Sequence, residues 1–319
     1  MDIRCGLARA ARASVFAAVV TVLAAGAGRS QDDLPPPDLV DQPVPMDDFI
    51  RMVAQGQDAA DLRSLVNLNQ ALRQAGFRER VPRLSEIFPS DILEVRETRS
   101  LGEMRRLEEA GQLSGYGLCA GARGDIDAAC DKRGTVGYGL CVKAVGRPTE
   151  CDVRGSLGYA LCVQKMGTPA GCRKDGTFGY GLCVNATGQP AKCAADASVG
   201  YALCARRSGP SSDCDAGGSL GYGLCMEKTG LAKCKSDGTL GYGLCVRARG
   251  GPAGCDGQGS LGYGLCAGAT VQSDSCKTGG GLGYALCVKA TGSADGCEAD
   301  GDQNYGFCVL KNHATISCK

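Results

Sequence analysis

The 319-residue chain has no Trp and a single His, and its 35 Lys+Arg nearly cancel 34 Asp+Glu. That balance excludes a strongly basic nucleic-acid binder, and no nucleic acid is expected as partner. No two cysteines stand at C-x2-C spacing, and the lone His313 offers no second imidazole. The usual thiolate zinc pattern is therefore missing, and no cofactor is expected. Residues 31–113 contain no Cys, no Lys and no Tyr, whereas the stretch beyond them holds all ten Tyr and twenty of the 21 Cys. Two stretches of different chemistry are joined in one chain.

The first thirty residues read as a secretory signal peptide. Arg4, Arg9 and Arg12 form a positive start, Ser14 to Ala25 is apolar, and Ala25-Gly26-Ala27 supplies small residues for cleavage. The apolar run is too short to span a bilayer, so the only membrane contact expected is through the export signal. Cys5 leaves with that signal, and an even number of cysteines remains. In a secreted or periplasmic compartment paired thiols persist, so ten disulfides are the expectation.

Residues 31–45 read as a Pro-rich acidic spacer, stiffened by Pro35-Pro36-Pro37 and Pro43-Val44-Pro45. An α-helical module should occupy 46–113. Asp47 to Gln55 and Asp58 to Gln74 have helical character, with Leu62, Leu65, Val66, Leu68 and Leu72 at near-helical spacing and Gly76 as a stop. Ser100-Leu101-Gly102-Glu103 has the form of a capping box, opening a helix that Gly111 would end. With 10 Arg against 16 Asp+Glu over 31–110, the module is either a solvated charged surface or an acidic docking or repeat-capping element.

From 114 to 319 one pattern recurs ten times, centred on Gly-Tyr-Gly/Ala-Leu-Cys. Its tyrosines are Tyr116, Tyr138, Tyr159, Tyr180, Tyr201, Tyr222, Tyr242, Tyr263, Tyr284 and Tyr305, a period of about 21 residues. The last copy departs, reading Asn304-Tyr305-Gly306-Phe307-Cys308. Each second cysteine precedes the next first cysteine by a constant 11 residues, while the spacing within a repeat varies from 9 to 11. Pairing Cys119 with Cys130, Cys141 with Cys151, Cys162 with Cys172, Cys183 with Cys193 and Cys204 with Cys214, then Cys225 with Cys234, Cys245 with Cys255, Cys266 with Cys276, Cys287 with Cys297 and Cys308 with Cys318, consumes all twenty. An offset scheme would strand Cys119 and Cys318 at opposite ends, so parity favours bridges within repeats. Each bridge closes a loop of about ten residues and should contribute roughly 2.5–3 kcal/mol. One repeat holds too few apolar side chains to fold alone, which makes a stacked solenoid the expected architecture.

Helix and strand compete within the repeat. In Leu157-Gly158-Tyr159-Ala160-Leu161-Cys162-Val163 both periods segregate residues cleanly. The punctuation favours a short helix. Thr135, Ser156, Thr177, Ser198, Ser219, Thr239, Ser260 or Asp302 stands three residues before Tyr as an N-cap. Gly124, Gly146, Gly167, Gly188, Gly209, Gly230, Gly250 or Gly292 stands eight residues after it as a C-terminal stop. Two glycines in the first turn argue the other way, at roughly 1 kcal/mol each relative to Ala, and they keep a β-solenoid as the alternative.

Functionally, the tyrosines should form a ladder, either packed in the core or exposed as an aromatic stripe that binds a partner. Lys143, Lys165, Arg206, Arg207, Lys228, Arg247, Lys289 and Lys311 would compensate helix dipoles or make an edge for anionic polymers. Aspartates in the inter-repeat turns, as in Asp175-Gly176-Thr177, Asp237-Gly238-Thr239 and Asp300-Gly301-Asp302, fit Asx turns better than calcium. Asn185-Ala186-Thr187 matches a glycan acceptor. An enzyme would have to be built on His313 beside Cys308 and Cys318, so none is expected. The expectation is a non-enzymatic structural or binding protein with an envelope polymer, polysaccharide or protein as partner. End-to-end self-association is a further option, and thiolate copper or zinc storage is the alternative function.

Overall fold

The computed structural model describes residues 43–88, 102, 104–106, 108, 109, 111, 114–123, 129–210, 212–230, 233–270 and 273–318, with side chains from Asp47 onward except that of Arg123. All of these belong to one compact unit, Asp38–Lys319. The signal peptide, most of the spacer, the capping-box residues Ser100, Leu101 and Glu103, and Gly124 lie outside them.

Ten short helices form the array: α4 (Gly115–Arg123), α5 (Val136–Val145), α6 (Leu157–Met166), α7 (Phe178–Thr187), α8 (Val199–Ser208), α9 (Leu220–Thr229), α10 (Leu240–Arg249), α11 (Leu261–Thr270), α12 (Leu282–Thr291) and α13 (Gln303–Asn312). Each packs on the next, giving a helical repeat solenoid. No described residue is in a strand, which overturns the β-solenoid alternative.

The caps decide the matter physically. In α6 the Ser156 hydroxyl accepts the Tyr159 N–H at 3.0 Å, and Gly167 ends the helix in the left-handed region at φ 69°. Thr135, Thr177, Ser198, Ser219, Thr239, Ser260 and Asp302 cap their helices in the same way.

The cap hydroxyl has a second task. Ser156 Oγ also donates to the Gly176 carbonyl of the next repeat at 2.5 Å, and its backbone N–H donates to Lys174 O at 2.8 Å. Thr135, Thr177, Ser198, Ser219, Thr239 and Ser260 repeat the hydroxyl bond at 2.5–2.7 Å. A hydroxyl accepts and donates through one atom, which suits Ser or Thr at this position; the copy of α12 carries Gly281 there, without a side-chain cap. Asp302, which only accepts when ionised, stands in the tenth copy, for which no described coil offers the corresponding carbonyl.

The helix-weakening glycines are explained by the same contact. A Cβ on Gly158 would lie 1.9 Å from the Thr177 carbonyl oxygen, so the next coil occupies the space a side chain would need. The equivalent residue of the tenth copy is Asn304, and no described coil packs on that side of it.

Ahead of the array, α1 (Pro43–Val53), α2 (Gly56–Gln74) and α3 (Leu84–Ile87) form the N-terminal module. Helix α1 begins inside the stretch read as spacer. Pro43-Val44-Pro45 is its first turn, where proline's missing N–H costs nothing and its fixed φ fits. Gly76 ends α2 at φ 77°, and Gly111 also has positive φ. Sequence periodicity gave no sign of the single-turn α3.

Phe49, Ile50, Leu62, Leu65, Leu68 and Leu72 of the module share one buried cluster with Leu203, Leu224, Leu244, Leu286 and Leu310 of the array. The module is thus a cover on the array, fused to it through one core. Phe77 stacks on Phe307 with ring centroids 5.7 Å apart.

Candidate functional site

All ten cystines join the two cysteines of one repeat, from Cys119–Cys130 to Cys308–Cys318. The offset pairing does not occur. A cystine carries no thiolate for a metal, and among the described residues no group of three His, Cys, Asp or Glu is placed to hold one.

The tyrosine ladder lies in the core. Tyr138, Tyr159, Tyr180, Tyr201, Tyr222, Tyr242, Tyr263, Tyr284 and Tyr305 are buried, and Tyr116 of the first copy is half-buried. Their hydroxyls bind the preceding repeat. Tyr180 Oη accepts the Arg173 N–H at 3.0 Å and lies 3.5 Å from Cys162 Sγ. Tyr159, Tyr242 and Tyr305 make the same pair of contacts. Burial pushes the phenols of Tyr159 and Tyr242 above the ordinary range. These rings hold coils together, and the exposed-stripe reading does not fit their placement.

The glycine before the cap serves the ring. A Cβ on Gly176 would lie 2.3 Å from Cδ1 of Tyr180. Ala197 breaks this rule, and Tyr201 of that copy donates to the Lys192 carbonyl at 3.3 Å.

The basic residues are the regular surface feature. Lys143, Lys165, Arg207, Lys228, Lys289 and Lys311 are exposed near helix C-termini, where a positive charge also suits the dipole. Asx bonds form at Asp131, Asp152, Asp215 and Asp256, each directly after the second cysteine, rather than at Asp175, Asp237 and Asp300. Asn185 lies within α7, and the Thr187 hydroxyl donates to Cys183 O at 2.7 Å. His313 takes the C-terminal stop position of α13 at φ 50°, standing where eight other copies carry glycine. It is an exposed helix-ending residue.

Sequence reasoning missed how the module grips the array. Asp58 at the start of α2 accepts the Leu220 N–H at 3.2 Å and the Leu240 N–H at 3.1 Å, capping two successive array helices with one carboxylate. Glu108 does the same for Val136 at 2.7 Å. Helix N-termini carry partial positive charge, so the module's acidic excess has a local use. Burial nevertheless pushes the Asp58 carboxyl above the ordinary range, against the two N–H bonds that favour its charged form. Arg247 donates to the Ile87 carbonyl at 2.8 Å, and Lys289 to that of Arg80.

Between residues 80–87 and helices α10, α11 and α12 lies a cleft of about 670 Å³, with Leu244, Leu265 and Leu286 below and Val81, Pro82 and Ile87 above. No described helix is long and apolar enough to cross a membrane. The chain matches no protein-family model, no curated protein and no solved structure.

Proposed function

We propose that the protein is an exported, non-enzymatic binding scaffold that presents a disulfide-stapled surface to an anionic polymer or protein of the cell envelope. One observation supports this reading above others: Tyr and Ser/Thr of the repeat bind neighbouring coils and Cys closes each coil, while basic side chains recur at the exposed helix ends. Ten intrachain cystines suit an oxidising extracellular or periplasmic compartment. A regular extended surface fits a polymeric partner better than a small substrate.

Because the array carries only 21 Lys+Arg against 17 Asp+Glu over 111–319, binding should be modest and salt-sensitive. The test is retention of purified protein on envelope fractions and polysaccharide arrays at low salt. Retention that falls with added salt and with a Lys143→Glu/Lys165→Glu/Lys228→Glu variant is expected. No retention under these conditions would overturn the reading.

A further inference from the structure

From α5 onward the residues five positions after Tyr are Lys143, Gln164, Asn185, Arg206, Glu227, Arg247, Gly268, Lys289 and Leu310, all exposed or half-buried except the buried Leu310; in α4 the position is Gly121. From α5 onward every member but one has a long or branched side chain. The gap is Gly268 on α11, flanked by Arg247 on α10 and Lys289 on α12. It coincides with the cleft beneath residues 80–87, which Gly264, Leu265, Gly268 and Ala269 line from the same helix.

Packing does not require the glycine. A Cβ built on Gly268 meets no heavy atom within 4 Å, in contrast to Gly262 of the same helix, where it would meet the Gly280 carbonyl oxygen at 2.1 Å. Gly268 also lies within helix α11, where glycine weakens the helix by roughly 1 kcal/mol relative to Ala. The missing side chain leaves room that the protein itself does not fill.

We infer that this cleft binds a single-chain anionic amphiphile, its carboxylate held between Arg247 and Lys289 and its acyl chain laid on Leu244, Leu265 and Leu286 beneath Val81 and Ile87. Three cations, Arg80, Arg247 and Lys289, line the cleft against one carboxylate, Glu86, which pairs with Arg80. Arg247 and Lys289 each donate to one backbone carbonyl, and a guanidinium with five N–H groups and an ammonium with three keep donors for an incoming anion. The cleft volume lies in the roughly 300–1,000 Å³ range of small-molecule sites, and an apolar surface with a few convergent polar groups is their usual lining. The inference does not depend on the polymer-binding reading, whose test uses Lys143, Lys165 and Lys228, outside the lining of this cleft.

Calorimetric titration of the full exported chain with laurate below its micelle concentration tests it, with acetate and dodecanol as controls. Laurate should saturate one site, acetate should not bind measurably, and dodecanol should bind at least tenfold more weakly. Gly268→Leu fills the gap with a good helix former, so it should abolish laurate binding while thermal unfolding and near-UV circular dichroism stay like wild type. Lys289→Met should weaken laurate about tenfold and leave dodecanol unchanged. Absence of saturable laurate binding overturns the inference, as does binding that Gly268→Leu leaves intact. Equal affinity for dodecanol would overturn the ionic part, and equal affinity for acetate the apolar part.

Discussion

The hydroxyl of Tyr180 lies 3.5 Å from the sulfur of Cys162, a residue of the preceding repeat whose own disulfide closes onto Cys172. Covalent closure within one coil and noncovalent attachment of the next therefore meet at one point. Tyr180 points backward along the array while the Thr177 cap hydroxyl points forward, so this coil is tied on both sides.

Tyr180→Phe keeps the ring but leaves the Arg173 N–H without its acceptor. An unsatisfied backbone donor costs about 1–3 kcal/mol. Guanidinium unfolding with the disulfides intact should show a lower midpoint, and an unchanged one would mean that the hydroxyl bond contributes nothing.

Gly158→Ala and Asn304→Ala probe equivalent positions with opposite expectations. The first drives a methyl into the Thr177 carbonyl and should destabilise by about 1–3 kcal/mol or more. The second lies in the tenth copy, on which no further described coil packs, and should be near neutral. Similar effects of the two on the melting temperature would contradict the stacking account.

Ser156→Asp keeps an acceptor for the Tyr159 N–H but sets a carboxylate where the hydroxyl had donated to the Gly176 carbonyl. It should lower stability by at least the ~1 kcal/mol of an ordinary cap deletion, whereas Asp302→Ser should be tolerated. By the same logic Asp302 and Asn304 close this end to a further coil. Sedimentation should show no growth of the wild type through its C-terminal copy. Association that Asp302→Ser/Asn304→Gly fails to enhance would show that these residues do not guard the end.

Asp58 links the module to the array in a pH-dependent way. Its carboxyl is pushed up in the folded protein, so the native state binds more protons than the unfolded one between the ordinary and the raised value. Stability contributed by this group is then fully present below the unfolded value and is lost as pH rises through the folded one. The wild type should gain melting temperature relative to Asp58→Asn as pH falls from neutral toward the ordinary carboxylate range. A difference that moves in the opposite direction, or stays constant, would refute this assignment.

The state of the sulfurs separates the scaffold from a thiolate metal store. Protein from its native compartment should have an intact mass about 20 Da below the all-thiol value and resist alkylation until reduced, because exported thiols persist as disulfides. Labelled thiols together with stoichiometric metal would favour the store.

Several features were legible from residue identity alone because they are local or combinatorial. The ten copies, the intra-repeat pairing, and the cap and stop positions of a ten-residue helix follow from spacing, parity and the preferences of Ser, Thr and Gly at helix ends. Both periods fit Leu157 to Val163 equally well, so the period alone could not separate helix from strand. The two glycines beside Tyr looked like a helix penalty because the coil that needs their space is about twenty residues away in sequence. The donor role of the Ser/Thr hydroxyl gains meaning only when a following carbonyl is in place. The docking of Asp58 on Leu220 and Leu240, and the cleft at Gly268 between Arg247 and Lys289, join residues far apart in the chain. Such contacts arise from how the coils stack and how the module lies across them, so only the tertiary structure decided where charge, space and apolar surface come together.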